Sequence, residues 1–116
     1  MKKLAVLLGA TLVLALSASA AEFRGILVDQ MCGKKHASEG LAYANAHTRN
    51  CGLMDARVHS GCGIFTPDGK YVPLEAAGNK KAEEALRKTD KKDNIQVKVS
   101  GKRHGDTIHV ASLAIQ

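Results

Sequence analysis

The sequence predicts a mainly β fold with one or more helices, and three observations carry that expectation. Short β-branched and apolar runs recur along the chain, at Phe23 to Asp29, Gly63 to Thr66, Lys70 to Leu74, Ile95 to Ser100 and from Ile108 onward. Two of the intervals between them carry turn chemistry, Pro67-Asp68-Gly69 and His104-Gly105-Asp106. The chain has 116 residues, 45% hydrophobic and 24% charged, with two Pro and no Trp, which fits one small globular domain and excludes disordered, collagen-like and disulfide-dense classes.

The N-terminus reads as a secretory leader. Lys2 and Lys3 form a basic start, Leu4 to Leu16 is apolar, and Ala18-Ser19-Ala20 is a small-residue cleavage site. The expectation is therefore a signal peptide over 1–20 and a single β-rich domain over 21–116. The apolar run falls short of the about 20 residues that a membrane span needs, and no second such run follows. The processed chain is expected in the periplasm or secreted, soluble and without an integral membrane segment. No Cys follows the cleavage site, which argues against a lipid anchor.

Phe23 to Asp29 is the first strand, ended by the polar pair Asp29-Gln30. Met31 to Gly61 has no period-2 pattern and contains helix-tolerant segments such as Leu41 to Asn45, so it reads as an insert of short helices and loops. The runs on either side of Pro67-Asp68-Gly69 form a hairpin, because Pro sets φ at the first turn position and Gly permits the closing conformation. Gly78-Asn79 opens a helix that Asn79 caps, with Ala82, Ala85 and Leu86 as its apolar stripe and Glu83/Arg87 and Glu84/Lys88 as solvated i,i+4 pairs. Ile95, Val97 and Val99 alternate with polar residues, and Ile108 and Val110 do the same after the second turn. The apolar phase then shifts to 111, 113 and 115, which predicts a bulge near Ala111. The order strand, insert, strand, strand, helix, strand, strand is that of a five-stranded OB-like small barrel, with the Cys/His-containing insert after strand 1. An open α+β sandwich of the same elements is the alternative.

The chemistry concentrates in the insert. Cys32 and His36 are an i,i+4 pair, and so, in reverse order, are His47 and Cys51. That spacing puts both side chains of a pair on one face of a helical turn, and two pairs can converge on a Cys2His2 tetrahedron suited to zinc. Cys32, His36, His47 and Cys51 are the candidate metal ligands. Thiolate and imidazole also suit copper, and Met31 and Met54 could add thioether sulfur, although core packing is the preferred reading of both. The competing reading makes His36 and His47 surface polar residues and joins cysteines in a disulfide. The chain has three Cys, so one must stay free, ligated or intermolecular. Asp29 reads first as a strand terminator, with a hydrogen bond to a ligating imidazole as its second possible role.

Other chemistries find little support. There is no C-x-x-C redox motif, no haem attachment motif, no Gly-rich phosphate loop and no nucleophile elbow. The formal net charge is +6, two of whose cations lie in the leader. Lys80, Lys81, Arg87, Lys88, Lys91 and Lys92 are interspersed with Glu83, Glu84, Asp90 and Asp93, and aromatic stacking residues are few, so no nucleic acid partner is expected.

Val28-Asp29-x-x-Cys32-Gly33-x-x-His36, His47-Thr48-Arg49-x-Cys51, Ser60-Gly61-x-Gly63, Asp68-Gly69-Lys70, Gly78-Asn79 and Gly105-Asp106-x-Ile108-x-Val110 span nearly the whole processed chain. Together they resemble an uncharacterised family of small exported bacterial proteins with no assigned activity. The resemblance implies an exported β-rich domain. That family tends to carry an aromatic residue in place of Cys62 and a further Cys shortly after the one matching Cys51, which implies that Cys62 replaces a displaced disulfide partner. The leading expectation is an exported zinc-binding, or copper-binding, small β domain, monomeric, with its protein or small-ligand partner open. A disulfide-stapled OB-like interaction module without metal is the alternative, and a thiol-based redox enzyme the third.

Overall fold

The computed structural model describes residues 20–116. The expected leader over 1–20 thus lies outside the described residues except for Ala20. The chain opens with β1 (Ala21–Asp29) and passes through the insert: α1 (Gln30–Lys35), a 3₁₀ turn (Ala37–Glu39), α2 (Gly40–Ala46), α3 (Arg49–Gly52) and α4 (Asp55–Ser60). Next come β2 (Cys62–Phe65), β3 (Tyr71–Pro73), α5 (Ala76–Lys88), β4 (Gln96–His104) and β5 (Thr107–Ile115).

The five strands form one antiparallel sheet in the order β3-β2-β1-β4-β5. β1 is central because its two halves pair differently: Ala21 to Ile26 run against β4, and Ile26 to Asp29 run against β2. The fold is therefore mainly β with helices, as the strand pattern predicts. The ladder itself is open, with β3 and β5 at its edges. Those edges approach each other at a parallel bridge, Leu74 to Ile108, continued by a hydrogen bond from the Glu75 amide to the Ile108 carbonyl at 3.1 Å.

Both hairpins form where the turn residues stand. Thr66 and Lys70 exchange a backbone hydrogen bond around Pro67-Asp68-Gly69, with Gly69 at φ 83°, and Gly105 sits at φ 58° between β4 and β5. Side chains other than Gly adopt such φ values only with strain. The bulge also lies where the apolar phase shifts: Ser100 pairs with Ser112 but Gly101 with Val110, leaving Ala111 as the extra residue.

The helix boundary differs from expectation. α5 begins at Ala76 and is capped by Glu75, whose carboxylate accepts hydrogen bonds from the Ala77 and Gly78 amides. Asn79 lies inside the helix, and its Oδ1 accepts from the Cys62 amide at 2.8 Å. A polar Asn followed by an apolar stripe looks like a cap, yet here it ties the helix to the start of β2.

Two apolar clusters share β1. Leu27 faces the larger one, with Ile64, Val72, Leu74, Val97, Val99, Ile108 and Val110 from the sheet and Ala82 and Leu86 from α5. Ile26 and Val28 point the other way, onto Cys32, Ala44 and Phe65, with Leu41, Tyr43 and Tyr71 around them. Period-2 alternation thus lets one strand serve two cores, and the insert folds onto the second. Met31 and Met54 are 47% and 54% exposed, so the core-packing reading of both is corrected. No helix among the described residues is long and apolar enough to cross a membrane.

Candidate metal centre

The site begins at the end of β1. Asp29 is its last residue and also the N-cap of α1, with its Oδ2 accepting the Cys32 amide at 2.9 Å. Capping fixes the carboxylate over the first turn and brings the Cys32 side chain beside it. His47 arrives from the other side of the insert. It closes α2 with an extended backbone, after which Thr48 caps α3, so the imidazole is held at a junction between two short helices.

Asp29, Cys32 and His47 form a buried trio whose ligand atoms all lie within 4.8 Å of one another. His47 Nε2 and Asp29 Oδ1 are 2.9 Å apart, and the two side chains are 4% and 0% exposed. Such a group, offering nitrogen, oxygen and sulfur from three convergent side chains, can hold a metal ion.

The electrostatics follow from burial and contacts. Burial pushes the Asp29 carboxyl up, but hydrogen bonds from His47 and the Cys32 amide outweigh it, and the group is held below the usual carboxylate range. For Cys32 burial wins: its thiol is raised despite a hydrogen bond with Tyr43, and the charge of Asp29 adds to the effect. Burial likewise raises the Tyr43 phenol, with the Cys32 contact next in importance.

Of the four residues that the spacing singles out, Cys32 and His47 belong to this trio and His36 and Cys51 lie outside it. His36 caps α1, pairs with Glu39, and stacks on Tyr43 with ring centroids 4.1 Å apart. The Tyr43 ring in turn lies 5.9 Å from that of His47 and so stands between the two imidazoles. His36 still donates its amide to the Cys32 carbonyl at 2.9 Å, but as the C-cap of α1 it turns its ring onto Glu39 and Tyr43, while His47 is extended and precedes α3, so it shares no helical turn with Cys51. Cys51 is half-buried on α3, where Thr48 and the Arg57 guanidinium favour its ionised form and hold its thiol below the usual value against the effect of burial.

Cys62 is buried in the larger core, opposite Asp29 in the β1–β2 register, and burial pushes its thiol up to about 12. All three cysteines are free, so the disulfide staple is not formed. Asp29 is the member of the trio that spacing alone passes over as a ligand. Its signal was present, since an Asp three residues before a Cys at a helix start is a cap that brings the two side chains together. A groove of about 600 Å³ opens elsewhere, between Thr48, Arg49 and Asn50 on one side and Thr89, Asp90, Lys92 and Asp93 on the other.

No family model, no curated protein and no solved structure matches this chain.

Proposed function

We propose that the protein is an exported domain that binds zinc through Asp29, Cys32 and His47, using an OB-like barrel as the platform for its insert. The observation that carries this reading is the buried convergence of three different donor types within 4.8 Å. Ligand atoms at 2.0–2.3 Å from a tetrahedral zinc stand about 3.5 Å apart, so small side-chain adjustments close the cage. A mixed carboxylate, imidazole and thiolate set suits zinc better than copper(I), which favours softer sulfur-rich sites. Three protein ligands leave a fourth position for water or a partner's group. The OB-like reading rests on the strand order and on the approach of β3 to β5 at Leu74 and Ile108. The leader-like pattern of residues 1–20 and the resemblance of the motifs to those of small exported proteins support export.

A second reading has its own observation. The 2.9 Å contact between His47 and Asp29 can serve as a buried polar clamp that fastens the insert to β1 without metal. Zinc titration of chelator-treated protein separates the two. If zinc binds, at concentrations about a thousandfold above Kd the ion contributes about 4 kcal/mol and raises Tm by 15 °C or more. Cys32→Ser and His47→Ala abolish that rise, whereas His36→Ala keeps it. An unchanged Tm and no retained metal would establish the clamp and remove the zinc reading.

A further inference from the structure

We propose that the groove between α3 and the loop joining α5 to β4 is a binding site for a small zwitterion of the amino-acid and short-peptide class. Its volume of about 600 Å³ falls within the range of about 300–1,000 Å³ that holds small-molecule ligands. The walls are pinned to each other. Thr48 and Asp93 form an antiparallel bridge, and the Arg49 amide donates to the Lys92 carbonyl at 2.8 Å. Within the loop, the Thr89 Oγ1 accepts the Lys91 amide at 3.2 Å, and Asn94, at φ 46°, turns the chain into the buried Ile95. Main-chain contacts therefore set the concavity.

The lining carries two cations, Arg49 and Lys92, and two anions, Asp90 and Asp93. No ion pair among the described residues involves any of the four. Arg49 is the fixed member. It is half-buried, its Nε donates to the Leu86 carbonyl at 2.8 Å, and its Nη1 reaches the Asn50 Oδ1 at 3.4 Å. Its Nη2 is left without a hydrogen-bond partner among the described residues. A guanidinium held by its Nε with donors to spare is a preorganised anchor for a carboxylate.

The balance of charge selects the ligand. An anion alone gains from Arg49 and Lys92 but is repelled by Asp90 and Asp93, and a cation alone meets the converse. A molecule that carries a carboxylate and an ammonium together satisfies both signs, with its carboxylate at Arg49 and its ammonium at the two Asp side chains. The hydroxyls of Thr48 and Thr89 and the amide of Asn50 add hydrogen-bond partners for peptide groups. The lining holds no aromatic ring and no large aliphatic side chain, so the ligand is recognised by its charged ends and main chain with little selection among its side chains. None of Asp29, Cys32 and His47 lines the groove, so binding here is independent of the zinc proposed above.

The test titrates isotope-labelled, chelator-treated protein with triglycine and follows the amide chemical shifts. Saturable shifts centred on residues 48–50 and 89–93, with a Kd of about 1 mM or tighter, are the expected result. N-acetyl-triglycine and triglycine amide each lack one of the two charges and should bind about tenfold more weakly or worse. Asp90→Asn combined with Asp93→Asn changes two exposed side chains and should weaken triglycine while leaving N-acetyl-triglycine no weaker than in the parent. Absence of saturable shifts in the unmodified protein would overturn the proposal without need of any variant, and so would shifts that saturate elsewhere. Equal affinity for triglycine and its blocked forms would also overturn it, because charge at both ends would then play no part. Acetate or inorganic phosphate binding as tightly as triglycine would make the groove an anion site and end the zwitterion reading.

Discussion

Asp29 shows how one side chain can carry structure and chemistry together. It ends β1, caps α1 and holds His47, and every one of these contacts draws on its negative charge. Replacement by Asn keeps the size and removes the charge, and should cost about 2 kcal/mol in metal-free protein by chemical denaturation. The pH dependence follows from the sign of the shift. Burial raises the Asp29 carboxyl, but the bonds from His47 and Cys32 bring it below the ordinary carboxylate value, so the folded state binds its proton less readily than the unfolded chain. The stabilisation is complete above the unfolded value and disappears as pH falls through the folded one. The stability gap between the parent and Asp29→Asn should therefore be constant at about pH 5 and above and shrink below the ordinary carboxylate range. A gap that is unchanged in acid would show that charge plays no part there. At this scale Cys32 and His47 were legible in the sequence because Cys and His draw attention by type. Asp29 was legible only as a strand end, since a carboxylate is common and its role depends on a helix starting at the next residue.

The elements were legible where local chemistry decides them and obscure where tertiary contact does. Pro67-Asp68-Gly69, Gly105 and the phase shift at Ala111 each encode backbone geometry within a few residues, and each stands where expected. The start of α5 does not follow from local preference. Glu is a poorer N-cap than Asn, yet Glu75 caps the helix because its Oε1 also accepts the Val110 amide of β5 at 3.1 Å, at a distance of 35 residues in sequence. The same carboxylate joins the cap of α5 to the sheet edge where β3 meets β5. Glu75→Ala should lower stability by about 1–2 kcal/mol, because it uncaps the helix and leaves the Val110 amide without its acceptor. Glu75→Gln retains an acceptor and should cost less, as measured by denaturant midpoints at equal slope. Equal losses in the two variants would mean that charge rather than acceptor geometry holds this corner.

For the whole molecule, the order of elements along the chain and one long helix were readable because the alternating runs are regular, while the folding of the insert onto β1 was not, because it depends on a second core that no local period announces. That core is small, built on Ile26, Val28, Cys32, Ala44 and Phe65, and the insert's helices span only four to seven residues. Helices shorter than about 12–15 residues are marginal without tertiary support, so the insert depends on its few contacts with the sheet. The larger core, by contrast, joins all five described strands to α5 with several fully enclosed residues, among them Ile64, Val99 and Ile108. The molecule should accordingly open in two stages, the insert before the sheet. Native-state hydrogen exchange is the measurement that separates them. In chelator-treated protein, amides of α1, α2 and α3 should exchange through local opening while those of β1 and β4 follow global unfolding. Zinc should slow the insert amides by the factor that its binding energy dictates and leave β4 and β5 almost unchanged at low denaturant, since the ligands come from the end of β1 and from the insert alone. Uniform slowing across the sheet would show that insert and sheet unfold as one unit, and no slowing anywhere would show that the trio holds the insert through the Asp29–His47 contact without a metal.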